Sequence, residues 1–165
     1  MAPLVVTLVL DAETTDRFER ERAQYFPSGR TAVGAHLTLF HAVPGERLDD
    51  VLEDVREQAR RPAFDLAVSE VFALGRGVAY RLESAELVEL HDRLQQAWRD
   101  GLTQQDRQPL RPHVTVQNKV EPDRARSTLA HLSAVFTPFT ATARAVAVWR
   151  YVGGPWEPVE TFGLS

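Results

Sequence analysis

The sequence contains no cysteine, which excludes a disulfide framework, thiolate catalysis and every cysteine-ligated zinc site. Lysine is nearly absent too: of 19 basic residues only Lys119 is one, and the arginine bias reads as genomic composition rather than as selection for phosphate forks. No apolar stretch approaches the ~20 residues that a membrane helix needs. The first residues, Met1-Ala2-Pro3 and an apolar run to Leu10, carry neither a basic leader nor a small-residue cleavage site. A cytoplasmic protein is therefore expected. Positive charge is not in surplus either. A formal charge of -4 argues against a duplex-coating protein, whose affinity rests on many neutralised phosphates, and leaves a small anionic ligand open. The catalytic menu shrinks to His, carboxylates, hydroxyls, Lys and Tyr. What is present, 44% hydrophobic and 25% charged residues in a chain of 165, supports one folded domain with a sizeable core.

Residues 4 to 10 form a β-branched apolar run that ends at Asp11, which fits a buried strand followed by a helix start. Phe18 and Tyr25 sit among charges over residues 14 to 26, and Pro27-Ser28-Gly29 and Gly34 then break the chain before a second strand at 36 to 43. Leu48, Val51, Leu52, Val55 and Ala59 recur at helical spacing. A hairpin is expected from 64–74 and 78–82 around Gly75-Arg76-Gly77. Ser84 caps a helix striped by Leu87, Leu90, His91, Leu94, Ala97 and Trp98, and Gly101 stops it. A strand at 113–117, a helix over 121–135, a strand over 139–152 and a last strand at 156–162 complete the chain. Helices and hairpins mix without a strict βαβ rhythm, so the expected class is α+β with largely antiparallel sheets.

Two segments share one pattern, His36-Leu37-Thr38-Leu39 and His113-Val114-Thr115-Val116, placed 77 residues apart in a spacing that suits an internal duplication. With 12 threonines in the chain, a given His meets this pattern by chance at roughly 0.014, and two of five doing so comes to roughly 0.002. Chance explains it poorly. Strand periodicity puts His36 with Thr38, and His113 with Thr115, on one face, while Leu37, Leu39, Val114 and Val116 face the core. If the two strands face one cleft, two imidazoles and two hydroxyls surround a single point. An imidazole with a pKa of about 6.5 gives or takes a proton near neutrality, so one His can activate water while the other protonates a leaving oxygen. The Thr hydroxyls can donate to phosphate oxygens where charge builds. Zinc fits poorly, since only His36 and His41 are near in sequence and alternation sends them to opposite faces. No metal site and no cofactor are expected.

The paired motifs resemble those of the 2H phosphoesterase superfamily, and the wider strings, residues 36–45 and 111–120, are similar to its 2′-5′ RNA ligase-like branch. The resemblance implies a bilobal fold over residues 1–165, with two largely antiparallel sheets related by a pseudo-twofold axis and flanked by helices. It also implies metal-independent action on 2′,3′-cyclic or 2′-5′ phosphodiesters of RNA ends or nucleotides. Carried over residue by residue, His36 would protonate the leaving oxygen, His113 would activate water, and Thr38 and Thr115 would hold the phosphate. The sequence alone does not assign which His takes which part. RNA ligation is implied only by the family's name.

Around this centre, Phe40 is expected on the site face, where it could stack a nucleobase as readily as belong to the core. Gln117 and Lys119 are expected on the corresponding face after Thr115, as a polar contact and a charge for phosphate. A single strand His is more often a structural hydrogen-bonder than a catalyst; the pairing reverses that. His41, His91 and His131 read as packing or surface residues, and Tyr80, Trp149 and Tyr151 as core aromatics outside the site. The expected partner is an RNA end or cyclic nucleotide, with no membrane, and the expected state is a monomer. The rival to an enzyme is a binding module that holds the same ligand in the same cleft without turnover.

Overall fold

A computed structural model describes residues 1–27 and 34–165. Of the break expected at Pro27-Ser28-Gly29, Ser28 and Gly29 lie outside the described residues. The elements run β1 (Leu4–Leu10), α1 (Ala12–Tyr25), β2 (Leu37–Val43), α2 (Leu48–Gln58), β3 (Phe64–Leu74), β4 (Gly77–Glu83), α3 (Ala85–Trp98), β5 (His113–Gln117), α4 (Pro122–Val135), β6 (Phe139–Arg150) and β7 (Glu157–Gly163). Among the described residues no helix is long and apolar enough to cross a membrane.

Local chemistry sets the boundaries. Asp11 caps α1 by accepting from the Thr14 backbone N–H at 3.2 Å and hydroxyl at 3.0 Å, and its other oxygen accepts from Thr142 N–H at 2.8 Å, tying the helix start to β6. Ser84 caps α3 through Leu87 N–H at 3.1 Å. Gly75, at φ +54°, makes the two-residue turn between β3 and β4. A Cβ at Gly77 would lie 1.8 Å from the Gln117 carbonyl oxygen, so only glycine lets β5 pair there.

The strands pair antiparallel in the order β2-β1-β6-β3-β4-β5, with β7 also on β6. Exchanging β1 with β4, β2 with β5 and β3 with β6 reverses this order onto itself, which is the pseudo-twofold relation of two β-α-β-α-β repeats. The two largely antiparallel sheets expected from the resemblance are joined edge to edge. Residues 64–68 of β3 pair with residues 139–143 of β6, so the two halves join into one continuous seven-stranded sheet. The length of β6 is the cause: one edge pairs β1, and the other is shared end to end by β3 and β7.

The helices cross between the halves. Helix α1 leaves β1 and packs on β5, and its Phe18 meets Tyr80 of the neighbouring β4 at 5.1 Å. Helix α3 leaves β4 and packs on β2, where Phe40 stacks on His91 at 4.6 Å and meets Trp98 at 4.9 Å. Each helix thus braces the opposite half. Trp98 donates from its indole to Asp54 at 2.9 Å, which joins α3 to α2. One continuous apolar cluster runs through both halves and includes Leu37, Leu39, Val114 and Val116.

Buried imidazole in this core gives the fold an acid-sensitive component. Burial holds His91 below its ordinary pKa, against the raising effects of the Leu39 carbonyl, Asp106 and Asp92, and burial likewise lowers His36. The unfolded chain therefore binds more protons than the native one just below about pH 6.5, so stability is full above that value and falls as the pH drops through it. Thermal melts between about pH 5 and 8 should show Tm falling on the acid side, and His91→Phe should flatten the slope. A Tm independent of pH over this window would contradict the assignment.

Candidate active site

The two ends of the strand order, β2 and β5, come into contact, and their motif faces line one cleft of about 240 Å³ with Arg22, Gly34, His41 and Trp156. All four residues of the paired pattern, His36, Thr38, His113 and Thr115, are in this lining. Leu37, Leu39, Val114 and Val116 are buried behind them, as alternation requires.

The imidazoles are held in the same way. His36 Nδ1 lies 2.6 Å from the Gly34 carbonyl and His113 Nδ1 lies 2.8 Å from the Arg111 carbonyl, each two residues upstream. A carbonyl can only accept, so Nδ1 is the protonated nitrogen in both rings, and Nε2 is left to exchange a proton. Their surroundings differ. His36 packs against Trp149 at 5.4 Å and Trp156 at 4.9 Å. Burial first, and then the Arg22 guanidinium, hold it below the ordinary imidazole pKa, against the Gly34 carbonyl and Glu19. At neutral pH His36 rests uncharged.

One turn of α1 links the two motifs. Glu19 accepts from the backbone N–H of Ala35, immediately before His36, and Arg22 donates to the Thr115 carbonyl at 2.8 Å. On the other side, His91 of α3 hydrogen-bonds the Leu39 carbonyl. The motif strands are thus clamped through their backbones by the helices that cross to them.

The three flanking residues expected at the site are elsewhere, and two share one reason. Thr7 pairs with Thr38 and Val6 with Phe40, so one step on β1 takes two on β2 and Leu39 is the extra residue of a bulge. In β5, Ala79 pairs with Thr115 and Val78 with Gln117, which makes Val116 the extra residue at the equivalent place. Both bulges reset the alternation. Phe40, fully buried, joins the core, and Gln117, also fully buried, donates to Thr128 of α4 at 2.8 Å. Lys119 has a φ of +60° and is exposed beyond the end of β5, where Val120 N–H binds the Arg76 carbonyl; it does not line the cleft.

The same bulge carries His41 onto the cleft face, whereas strict alternation predicts the core face. Arg22 was also missed, although an arginine in register with Thr14 and Phe18 on the buried stripe of α1 was a visible signal. Trp149, expected in the core, borders His36. Trp156 had no signal beyond its place after Gly153-Gly154-Pro155. Tyr80 is core, as expected. Among the described residues no group of three or more His, Asp or Glu gathers as a metal site.

A family model described as the 2′-5′ RNA ligase superfamily matches residues 10–155. Solved structures of similar fold include LigT of E. coli complexed with 3′-AMP, with 20% identity, a TM-score of 0.62, and 99% of this chain and 98% of that one covered. A phosphoesterase has 21% identity and a TM-score of 0.65 over 99% and 98%. The protein TT0787 of Thermus thermophilus has 16% and 0.65 over 98% and 97%. No curated protein sequence matches the chain. At these identities the structural likeness is one of fold.

Proposed function

Because the chain belongs to the 2′-5′ RNA ligase superfamily, within the 2H phosphoesterases, we propose that it is a metal-independent phosphodiesterase that hydrolyses 2′,3′-cyclic or 2′-5′ phosphodiesters of RNA ends or nucleotides. The observation that carries this reading is the pair of imidazoles, each fixed through Nδ1 on a backbone carbonyl, in one cleft. Water attacks phosphorus and gives its proton to one Nε2. The bond from phosphorus to a ribose oxygen breaks, and the other Nε2 protonates that oxygen. Thr38 and Thr115 donate to the non-bridging oxygens, with the Arg22 cation beside them. Crystal structures of E. coli LigT with 3′-AMP and with phosphate support a fold of this kind accommodating a phosphate-bearing nucleotide.

The environment of the rings favours an order. His36, walled by two tryptophans and lowered in pKa by burial, rests in the neutral form that accepts a proton. In this reading His36 is the base and His113 the acid, the reverse of the parts that the family resemblance implies. The identity of the phosphodiester is tested by a turnover screen with EDTA present, against 2′,3′-cyclic mononucleotides, an RNA ending in a cyclic phosphate and 2′-5′ oligonucleotides. Hydrolysis of at least one, undiminished by EDTA, is the expected result. Activity abolished by EDTA and restored by a divalent metal would overturn metal independence. Nucleotide binding with no turnover of any substrate would make the cleft a binding module.

A further inference from the structure

The two repeats are unequal at one position beside the cleft. His41 and Asn118 each follow the bulge, 77 residues apart. The Asn118 side chain turns back to accept from Lys119 N–H at 2.8 Å, whereas His41 is built into a wall. The Asp106 carboxylate, 1% exposed, accepts from His41 Nδ1 at 3.2 Å, from His41 N–H at 2.9 and 3.0 Å, and from Ala42 N–H at 2.8 Å. Its loop is held in turn by Gln95, which donates to the Asp106 and Gln108 carbonyls at 2.9 Å each. A ring fixed this way, its side chain 45% exposed, offers Nε2 outward. In the imidazolium form both nitrogens donate, one to Asp106 and the other to an anion.

His41 stands where the cleft opens into a second cavity of about 380 Å³, which shares Thr38, His41 and His113 with it and is walled further by Gln105, Leu110 and Arg111. That volume lies within the range of about 300–1,000 Å³ usual for small-molecule sites. Its walls mix an apolar surface with amide and guanidinium donors, which suits a ribose and base. From Thr38 to His41 the strand spans at most about 10 Å, a distance that one nucleotide unit bridges.

Resting on the phosphodiesterase reading above, we infer that this cavity takes the nucleoside bearing the reacting phosphate and that His41, held by Asp106, binds a second phosphate on its 5′-oxygen. The preferred substrate then carries two phosphates one ribose apart, whether the outer one is a 5′-phosphate or the internucleotide phosphate of an RNA end.

The test is an equilibrium titration of the full chain with adenosine 3′-monophosphate, adenosine 3′,5′-bisphosphate and the dinucleotide ApA carrying a 3′-phosphate. The wild type should bind the bisphosphate about ten-fold more tightly than the monophosphate, and His41→Gln should bring the two within about two-fold. His41→Ala checks the same point, with thermal melts to show that both variants fold. A dinucleotide equal to the bisphosphate identifies the phosphate alone as the determinant; tighter binding adds a contact to the second nucleoside, and both support the subsite. Equal binding of mono- and bisphosphate by the wild type, or an undiminished preference in His41→Gln, overturns it. Because the readout is affinity, absence of turnover in the substrate screen would sink the phosphodiesterase reading without deciding this one.

Discussion

His36→Ala is expected to lower kcat on a 2′,3′-cyclic or 2′-5′ phosphodiester by ~10²-fold or more, and His113→Ala to do the same. On the proposed mechanism each replacement removes one of two proton transfers while leaving the backbone clamps of α1 and α3 in place, because those grip Ala35, Leu39 and Thr115 through main-chain atoms. Thr38→Ala and Thr115→Ala should be milder, since each removes one donor to the phosphate and no proton transfer. The kinetics of the four variants, beside melts that show them folded, check the division of labour. If either His variant kept near-full hydrolysis of every phosphodiester tested, acid and base catalysis by this pair would be wrong.

Phe40→Ala should act on stability. Fully buried, with its ring stacked on His91 and set against Trp98, it is expected to cost about 3–5 kcal/mol when truncated. In a chain of this length that is a fall in Tm of roughly 6–20 °C. A residue that stacked a substrate base from the cleft would behave oppositely, raising KM with Tm nearly unchanged. Denaturant and thermal unfolding of Phe40→Ala, with Phe40→Leu as the milder comparison, separate the two. An unchanged Tm would place Phe40 outside the core.

These outcomes mark the boundary of what alternation reveals. The motif strands were legible because Leu37, Leu39, Val114 and Val116 alternate strictly with His and Thr, and a period of two fixes faces over such a stretch. Strict alternation ends at Leu39 and Val116, where each strand takes an extra residue. A bulge depends on pairing with a partner strand, β1 or β4, and leaves no mark in the bulged strand's own composition. Phe40, His41 and Gln117 therefore lie together on faces opposite to those that alternation predicts. Order along the chain showed two repeats, whereas their merger into one sheet depends on β6 being long enough to pair with both β1 and β3. Helix crossing is likewise non-local. Arg22 reads as one more charge on α1 until the helix is seen to lie on β5 with its guanidinium on the Thr115 carbonyl.

The proposed pairing of two imidazoles as base and acid at one phosphate is read from the pH dependence of kcat/KM on the substrate found in the screen, measured with EDTA present. A bell-shaped profile between about pH 5 and 8 is expected, because the productive enzyme needs one neutral and one protonated imidazole. The acid limb should report protonation of His36, with its midpoint below the ordinary histidine value of about 6.5. A profile flat across this range, or one with a single limb in the wild type, would contradict it.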